Sequence, residues 1–153
     1  QALDFIRRKL LGDGGAELSA LQAEFSELCD SQSQRPVLAQ MASVVLERLG
    51  EWRELTAEVI AMSQRDVQEI GASSVDFLQY SAYVLLAGFW LQAAARAQDA
   101  LDAESGEAAF YQAKLHSADF YLRRILPRAS AYRESLQGGA DCLMAMPESS
   151  FAF

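Results

Sequence analysis

The chain has 153 residues, and 51% of them are hydrophobic, which excludes a disordered segment and provides for one core. It has only two cysteines, Cys29 and Cys142, so a disulfide-rich secreted scaffold is excluded. The formal net charge of −8 is opposite in sign to that of a generic nucleic-acid binder, and we expect no nucleic-acid partner.

The composition predicts an all-α fold. The sequence holds 26 alanines and 20 leucines, but only 12 β-branched residues and three prolines. Alanine and leucine lose little conformational entropy in a helix, whereas β-branched side chains favour strands. Long stretches of the chain are therefore free to be helical.

The first predicted elements are a short N-terminal helix and a longer helix over 16–30. The glycine-rich stretch 12–15 ends the short helix, because glycine accepts the left-handed conformation found at helix ends. Apolar residues three and four positions apart mark the longer helix: Leu18, Leu21, Phe25 and Leu28. The polar residues 31–35 are predicted to form a loop.

A second long helix is predicted over 36–70. Pro36 suits its first turn, and its apolar stripe runs through Leu38, Met41, Val45, Leu49, Trp52, Leu55, Val59 and Met62. Gly50 lies inside this helix, where a closely packed neighbour or a mild bend would explain it. Residues 71–74 are predicted to break the pattern, with Ser73 or Ser74 capping the next helix.

The third helix, predicted over 75–103, carries no charge between Asp76 and Arg96. This run has the length of a membrane span, but several polar side chains lie in it, and we expect no membrane contact. A helix that is apolar on all sides is typical of the centre of a bundle or of a subunit interface. Because aromatic residues are enriched at interfaces, the candidate interface residues are Tyr80, Tyr83, Phe89 and Trp90.

A turn over 102–107 leads to the fourth helix, predicted over 107–136. Pro127 lies inside this helix and should kink it, since proline lacks the N–H that the helical ladder needs. Two glycines then end the helix, and residues 141–153 form an irregular tail. Four long helices joined by short loops predict an up-down four-helix bundle.

No catalytic, cofactor-binding or metal-binding residues can be assigned. The histidine His116 lacks the Glu-x-x-His pattern of di-iron bundles and a partner nucleophile, so we interpret it as a hydrogen-bonded boundary residue. Neither a Cys-x-x-Cys pair nor a phosphate-binding glycine motif occurs. Four carboxylates on one helical face are interpreted as a solvated surface with ion pairs: Glu47, Glu51, Glu54 and Glu58.

The basic residues form two groups, residues 7–9 and four arginines of the fourth helix: Arg123, Arg124, Arg128 and Arg133. These groups could face an acidic neighbouring domain, a phosphate or an anionic lipid, but pairing with the abundant Glu and Asp is favoured. The N terminus shows no signal-peptide pattern, so we expect a cytoplasmic protein with both thiols buried. Because the first residue is not methionine, the interpretation that this chain is part of a longer polypeptide stays open.

Several stretches together resemble the additional C-terminal domain of certain bacterial acyl-CoA dehydrogenases. Residues 1–10 (QALDFIRRKL) resemble the segment that follows the catalytic region of those enzymes. Residues 74–90 (beginning SVDFL and ending GFW) resemble a helix of the additional domain. Its last helix and tail are similar to FYQAKL at 110–115, RILP at 124–127 and LMAMP at 143–147.

The resemblance implies a division after residue 12: residues 1–12 would end the catalytic domain or form a linker, and 13–153 would be one helical-bundle domain. It further implies that the full-length protein uses FAD to oxidise acyl-CoA to trans-2-enoyl-CoA, that the upstream catalytic domain is a partner, and that the protein forms a homo-oligomer such as a dimer. Of the family's loop near the flavin and the Ile-Gln pair after it, this chain retains only Gln1. The isolated chain is therefore expected to be inactive.

Two alternatives stay open. The first is a free-standing helical module that binds another protein through the aromatic-rich third helix. The second is a domain that binds a lipid surface through Arg123, Arg124 and Arg128, although the net charge of −8 opposes binding to an anionic membrane.

Overall fold

The computed structural model of the chain describes residues 1–151, and the regular elements within them are all helical. The α-helices are α1 (Ala2–Asp4), α2 (Ala16–Gln32), α3 (Ala39–Arg65), α4 (Val67–Asp102), α5 (Ala108–Phe120), α6 (Ala129–Gln137) and α7 (Asp141–Met144). Short π-helical turns follow α1 (Phe5–Leu10) and α5 (Tyr121–Ile125), and 3-10 turns lie at Leu126–Arg128 and Glu148–Phe151. The predicted all-α class is confirmed.

The break between the second and third long helices lies at Asp66, so the predicted break at residues 71–74 is wrong. The backbone of Asp66 is extended, with φ −146° and ψ 128°, and its carboxylate accepts the backbone N–H of Gln68 at 2.9 Å. An aspartate cap therefore starts α4. The Ser73 and Ser74 hydroxyls cap nothing, because they donate to carbonyls one turn earlier, at 2.6 and 3.0 Å.

Helix α4 is 36 residues long and lies at the centre of the bundle. It packs against α1, α3, α5 and α6. Its core-facing side is buried and includes Phe77, Tyr80, Val84, Ala87, Leu91 and Ala94. Of the two placements that the sequence left open for this helix, the structure shows the central one.

Gly88 allows α2 to approach α4 closely. A Cβ atom at this position would lie 2.7 Å from ring carbons of Phe25, which is closer than real Cβ contacts. Around the corresponding position at Gly50, no side chain or distant backbone atom of residues 1–151 lies within 4 Å. A closely packed neighbour therefore does not explain Gly50, but it does explain the glycine at position 88.

The N-terminal segment belongs to the same core as the bundle. Ile6 and Leu10 are buried in it, and the ring of Phe5 stacks on that of Phe77 in α4, with 5.6 Å between the centroids. The division after residue 12 stays a prediction, but the residues on its two sides share one hydrophobic core.

The predicted fourth helix is present as α5 and α6, joined by the π and 3-10 turns around Pro127. Proline cannot donate to the helical ladder, which accounts for the irregular stretch. Taken as one interrupted helix, α5–α6 completes the up-down order of four long helices that the sequence predicted. Within residues 1–151, no helix is both long enough and apolar enough to cross a membrane.

Candidate interaction site

A cluster of polar side chains joins α3, α4 and α6, with Glu51 at its centre. The carboxylate of Glu51 accepts hydrogen bonds from the guanidinium of Arg48 at 2.7 Å and from the hydroxyl of Tyr80 at 2.8 Å. A guanidinium nitrogen of Arg133 in α6 lies 3.4 Å from its other oxygen. The Glu51 side chain is only 17% exposed. The interpretation of a solvated carboxylate face is therefore wrong for Glu51, which is drawn into the bundle by these three donors.

The Glu51 cluster links α3, α4 and α6, and its charged groups are engaged with one another. Burial raises the pKa of Tyr80 well above its usual range, and the hydrogen bond to the Glu51 carboxylate raises it further. The phenol therefore stays protonated near neutral pH and continues to donate to Glu51. Each charged group of the cluster is already paired within the chain.

The glycine-rich turn 12–15 does not fit the pyrophosphate of FAD. The carboxylate of Asp13 accepts the backbone N–H groups of Gly15 at 2.9 Å and Glu17 at 2.8 Å. These backbone hydrogen bonds lower the pKa of Asp13, so the N-terminal end of α2 is occupied by a negative charge. A pyrophosphate needs such N–H groups to be available and would be repelled here.

The remaining titratable groups do not converge either. Within residues 1–151, no group of three or more His, Cys, Asp or Glu side chains is placed to hold a metal ion. His116 is exposed on α5. Cys29 is buried, and burial raises its pKa to about 11. Cys142 is exposed, because it lies in the C-terminal tail outside the core, so the prediction of two buried thiols is wrong for Cys142.

The four candidate interface residues do not share one surface. Tyr80 is buried in the core and has no surface to offer a partner. Tyr83 and Trp90 are half-buried, and their rings lie 5.8 Å from Tyr132 and 6.3 Å from Tyr121. Phe89 is 48% exposed, although the edge of its ring contacts Phe25 in α2. Tyr83 and Trp90 are two turns apart on one side of α4, whereas Tyr80 is turned further into the core and Phe89 towards α2.

The structure instead groups Phe89 and Trp90 with three other apolar side chains, Leu86, Phe110 and Phe120, which we call the α4–α5 face. The exposed fractions of Leu86, Phe110 and Phe120 are 47%, 52% and 58%. Two clefts of about 320 and 470 Å³ indent the face, one between Phe89 and Phe110 and the other between Trp90 and Phe120. Each cleft is lined by residues of both helices, so apolar side chains of α4 and α5 border the same clefts, together with polar ones such as Gln92 and His116.

Sequence reasoning missed Leu86, Phe110 and Phe120. The signal for Leu86 was present, since Ala82, Leu86, Phe89 and Ala93 recur at spacings of four, three and four within the charge-free run. Nothing in the pattern of α5 marks Phe110 and Phe120 as exposed.

Some arginines of the two basic groups form ion pairs with Asp and Glu side chains, as the sequence favoured. Arg123 bonds Asp119 at 2.7 Å, and Arg133 lies 3.7 Å from Glu54 in addition to its contact with Glu51. Arg8 pairs with Asp4 in the N-terminal segment. Most of these pairs are exposed and each contributes little to stability.

Comparison with known proteins gives the family. The family model described as acetyl-CoA dehydrogenase C-terminal like matches residues 20–147. The broad-specificity linear acyl-CoA dehydrogenase FadE5 of Mycobacterium tuberculosis is 32% identical over 161 residues, covering 99% of this chain and 26% of that relative. The 3-methylmercaptopropionyl-CoA dehydrogenase of Ruegeria pomeroyi is 30% identical over 148 residues, covering 94% and 24%. The chain thus spans about a quarter of the length of the curated relatives it matches.

Proposed function

Because the chain belongs to the acetyl-CoA dehydrogenase C-terminal-like family, we propose that it is the C-terminal helical domain of an FAD-dependent acyl-CoA dehydrogenase. The complete enzyme would act in fatty acid β-oxidation and convert acyl-CoA to trans-2-enoyl-CoA. In it the flavin accepts the hydride, and the base and the flavin site belong to the rest of the polypeptide. This domain acts in domain packing and oligomerisation and is not catalytic by itself.

The coverage of the relatives supports this division of labour. The two relatives are named for different acyl groups, linear acyl-CoA and 3-methylmercaptopropionyl-CoA, yet each aligns with nearly the whole of this chain. A domain common to both is best explained by a task that does not depend on the acyl group. Packing against a shared catalytic scaffold is such a task.

One observation carries the proposed role in packing, and it is the exposed α4–α5 face. Leu86 and Phe89 face solvent about half exposed, within a helix segment that has no charge over 77–95. The exposed side of a bundle helix normally carries charged residues. Contiguous exposed apolar surface marks interaction sites in stable proteins, so the face supports a domain that works by contact.

The test is the size and colour of the native polypeptide. An antibody against this chain would capture the product from the source cells, and its mass and visible absorption would be measured. We expect a polypeptide far larger than the 16.8 kDa of this chain, with flavin absorption bands. A colourless product of about 16.8 kDa would contradict the proposal.

That second outcome would favour the alternative, a free-standing helical module that binds another protein. The same observation supports it, because an exposed apolar face serves a separate partner as well as an attached one. The captured product would then be analysed for proteins that co-purify with it and are released when Phe89 is replaced by serine.

A further inference from the structure

The outer line of α4 has the pattern of a helix–helix contact. Ala82, Leu86, Phe89 and Ala93 lie on one side of the helix at alternating spacings of four and three residues, as in helices that pack along a seam. All four are at least partly exposed. The line therefore has the composition of a buried seam, but it stays partly exposed, with Phe25 of α2 contacting the edge of Phe89.

Helix α5 widens this line into a surface. Phe110 and Phe120 project from α5 with more than half of their area exposed, and the two clefts join them to Phe89 and Trp90 of α4. The surface is thus wider than one helix. A partner that covers it has to present more than a single short peptide.

We infer that the upstream catalytic part of the same polypeptide docks on the α4–α5 face. The inference rests on the proposed function, since only then does a catalytic part precede this chain. Relatives are about four times as long as this chain, which covers 26% and 24% of them. The N-terminal segment is anchored on the core-facing side of α4, where Ala2–Asp4 contacts the helix and Phe5 stacks on Phe77. Under the proposed function, this anchor holds the catalytic part next to the bundle.

Covalent attachment favours the catalytic part over a second copy of the chain as the occupant of the α4–α5 face. Under the proposed function the catalytic part is joined covalently to this domain, and a flexible connection that can span to the face gives it an effective concentration on the order of millimolar. A free second copy with the same intrinsic affinity has to reach that concentration to compete. Two copies also carry a net charge of −8 each, which opposes their approach. The attached catalytic part is therefore the favoured occupant.

Cations at one end of the face indicate the charge of the occupant. Arg96 lines the cleft beside Phe89, and the ammonium of Lys114 lies 5.0 Å from the centre of the Phe110 ring. No carboxylate of residues 1–151 lies within 4 Å of either cation. The surface that docks here is therefore apolar, with acidic side chains at the Arg96 end.

Site-specific thiol labelling of the full-length polypeptide tests the inference. In a Cys142→Ser background, Leu86→Cys places a thiol on the face and Leu46→Cys places one on α3, outside it. Leu86 and Leu46 are similarly exposed in this chain, at 47% and 39%. The native thiol of Cys29 stays silent because it is buried, with a raised pKa. Maleimide modification of each site is followed by mass spectrometry over time.

We expect the thiol of Leu86→Cys to react at least about ten-fold more slowly than that of Leu46→Cys, at every protein concentration. Ala93→Cys provides a second reporter on the same line, should replacement of Leu86 disturb folding. Equal rates in a long, flavin-bearing polypeptide would overturn the docking inference and leave the proposed function intact. Protection that appears only at concentrations where the mass doubles would overturn it in favour of a second copy. A native product of about 16.8 kDa would remove the proposed function, and the inference with it.

Discussion

The two sides of α4 differ in how their side chains are satisfied. At the junction with α3 and α6, Tyr80 is buried and donates its hydrogen bond to Glu51 at 2.8 Å. On the α4–α5 face, Leu86 and Phe89 stay about half exposed. The same charge-free run therefore has two causes. On one side the core excludes charge, and on the other, under our proposal, a docked domain does. The absence of charge along a helix therefore does not show that all of its sides are buried in the same core.

Trp90 belongs to the α4–α5 face but is half-buried against Tyr121, and Trp90→Asp is expected to have the largest effect. The substitution removes the half-buried indole from Tyr121 and places a charge there, which should lower the free energy of unfolding by about 3 kcal/mol. Chemical denaturation measures it. The control is Leu86→Asp on the exposed side, where the side chain is 47% exposed and the expected loss is about 1 kcal/mol. An unchanged melting temperature and oligomeric mass in Trp90→Asp would contradict the placement.

The junction itself is tested by Glu51→Ala. Without the carboxylate, the Tyr80 hydroxyl and the Arg48 guanidinium lose their acceptor, and we expect a loss of about 2 kcal/mol in the free energy of unfolding. Glu54→Ala is the matched control, since Glu54 is 75% exposed and its nearest cation is 3.7 Å away. If urea midpoints of the two variants agree, the Glu51 cluster does not stabilise the fold.

A third comparison uses two glycines inside long helices. Gly88→Ala places a methyl group against the Phe25 ring and should destabilise the chain by about 1 kcal/mol, even after the gain in helix propensity. Gly50→Ala meets no such contact within residues 1–151 and should stabilise α3 by up to about 1 kcal/mol. Thermal unfolding of both variants checks the opposite signs. A stabilising Gly88→Ala would show that α2 can move away from α4.

The smallest expected effect is on the pH dependence of stability and comes from the buried hydroxyls of Tyr80 and Tyr121. It should be measurable only at alkaline pH. Burial, and to a lesser extent Tyr83, raises the pKa of Tyr121 to about 12 from 10.0, and burial raises that of Tyr80 as well. Above pH 10.0 the unfolded chain releases these protons before the folded chain does, so the free energy of unfolding should fall as the pH rises to about 12. Tyr121→Phe should flatten this decline. An identical pH profile in the variant would contradict the assignment.

Periodicity predicted much of the fold because it depends only on which side chains face inward. The stripe of α3 is buried almost as predicted, from Leu38 to Met62, and the turn at 12–15 ends the first helix. The α3–α4 break was missed because a single aspartate cap at Asp66 provides it, while Gly71 and the serines after it are tolerated inside a helix that tertiary packing supports.

The candidate site was less accessible to sequence reasoning, for a physical reason. Whether a carboxylate is solvated depends on what lies across from it, and Glu51 meets Tyr80 and Arg133 from distant parts of the chain. Likewise, Tyr80 and Phe89 are equally aromatic, but only the packing of α3 and α5 determines which one is buried. Composition identified the right helix and could not identify its outward side.

The shared core of the N-terminal segment has a consequence for synthesis on the ribosome. Phe5, Ile6 and Leu10 leave the exit tunnel before α4 does, because Phe77, on which Phe5 stacks, follows Phe5 by 72 residues. At typical elongation rates these side chains wait about 4 to 14 s for α4 to appear. During that interval the segment stays without its partner side chains on α4. Closure of this bundle is therefore a late event that draws the segment onto α4 only once the long central helix has been made.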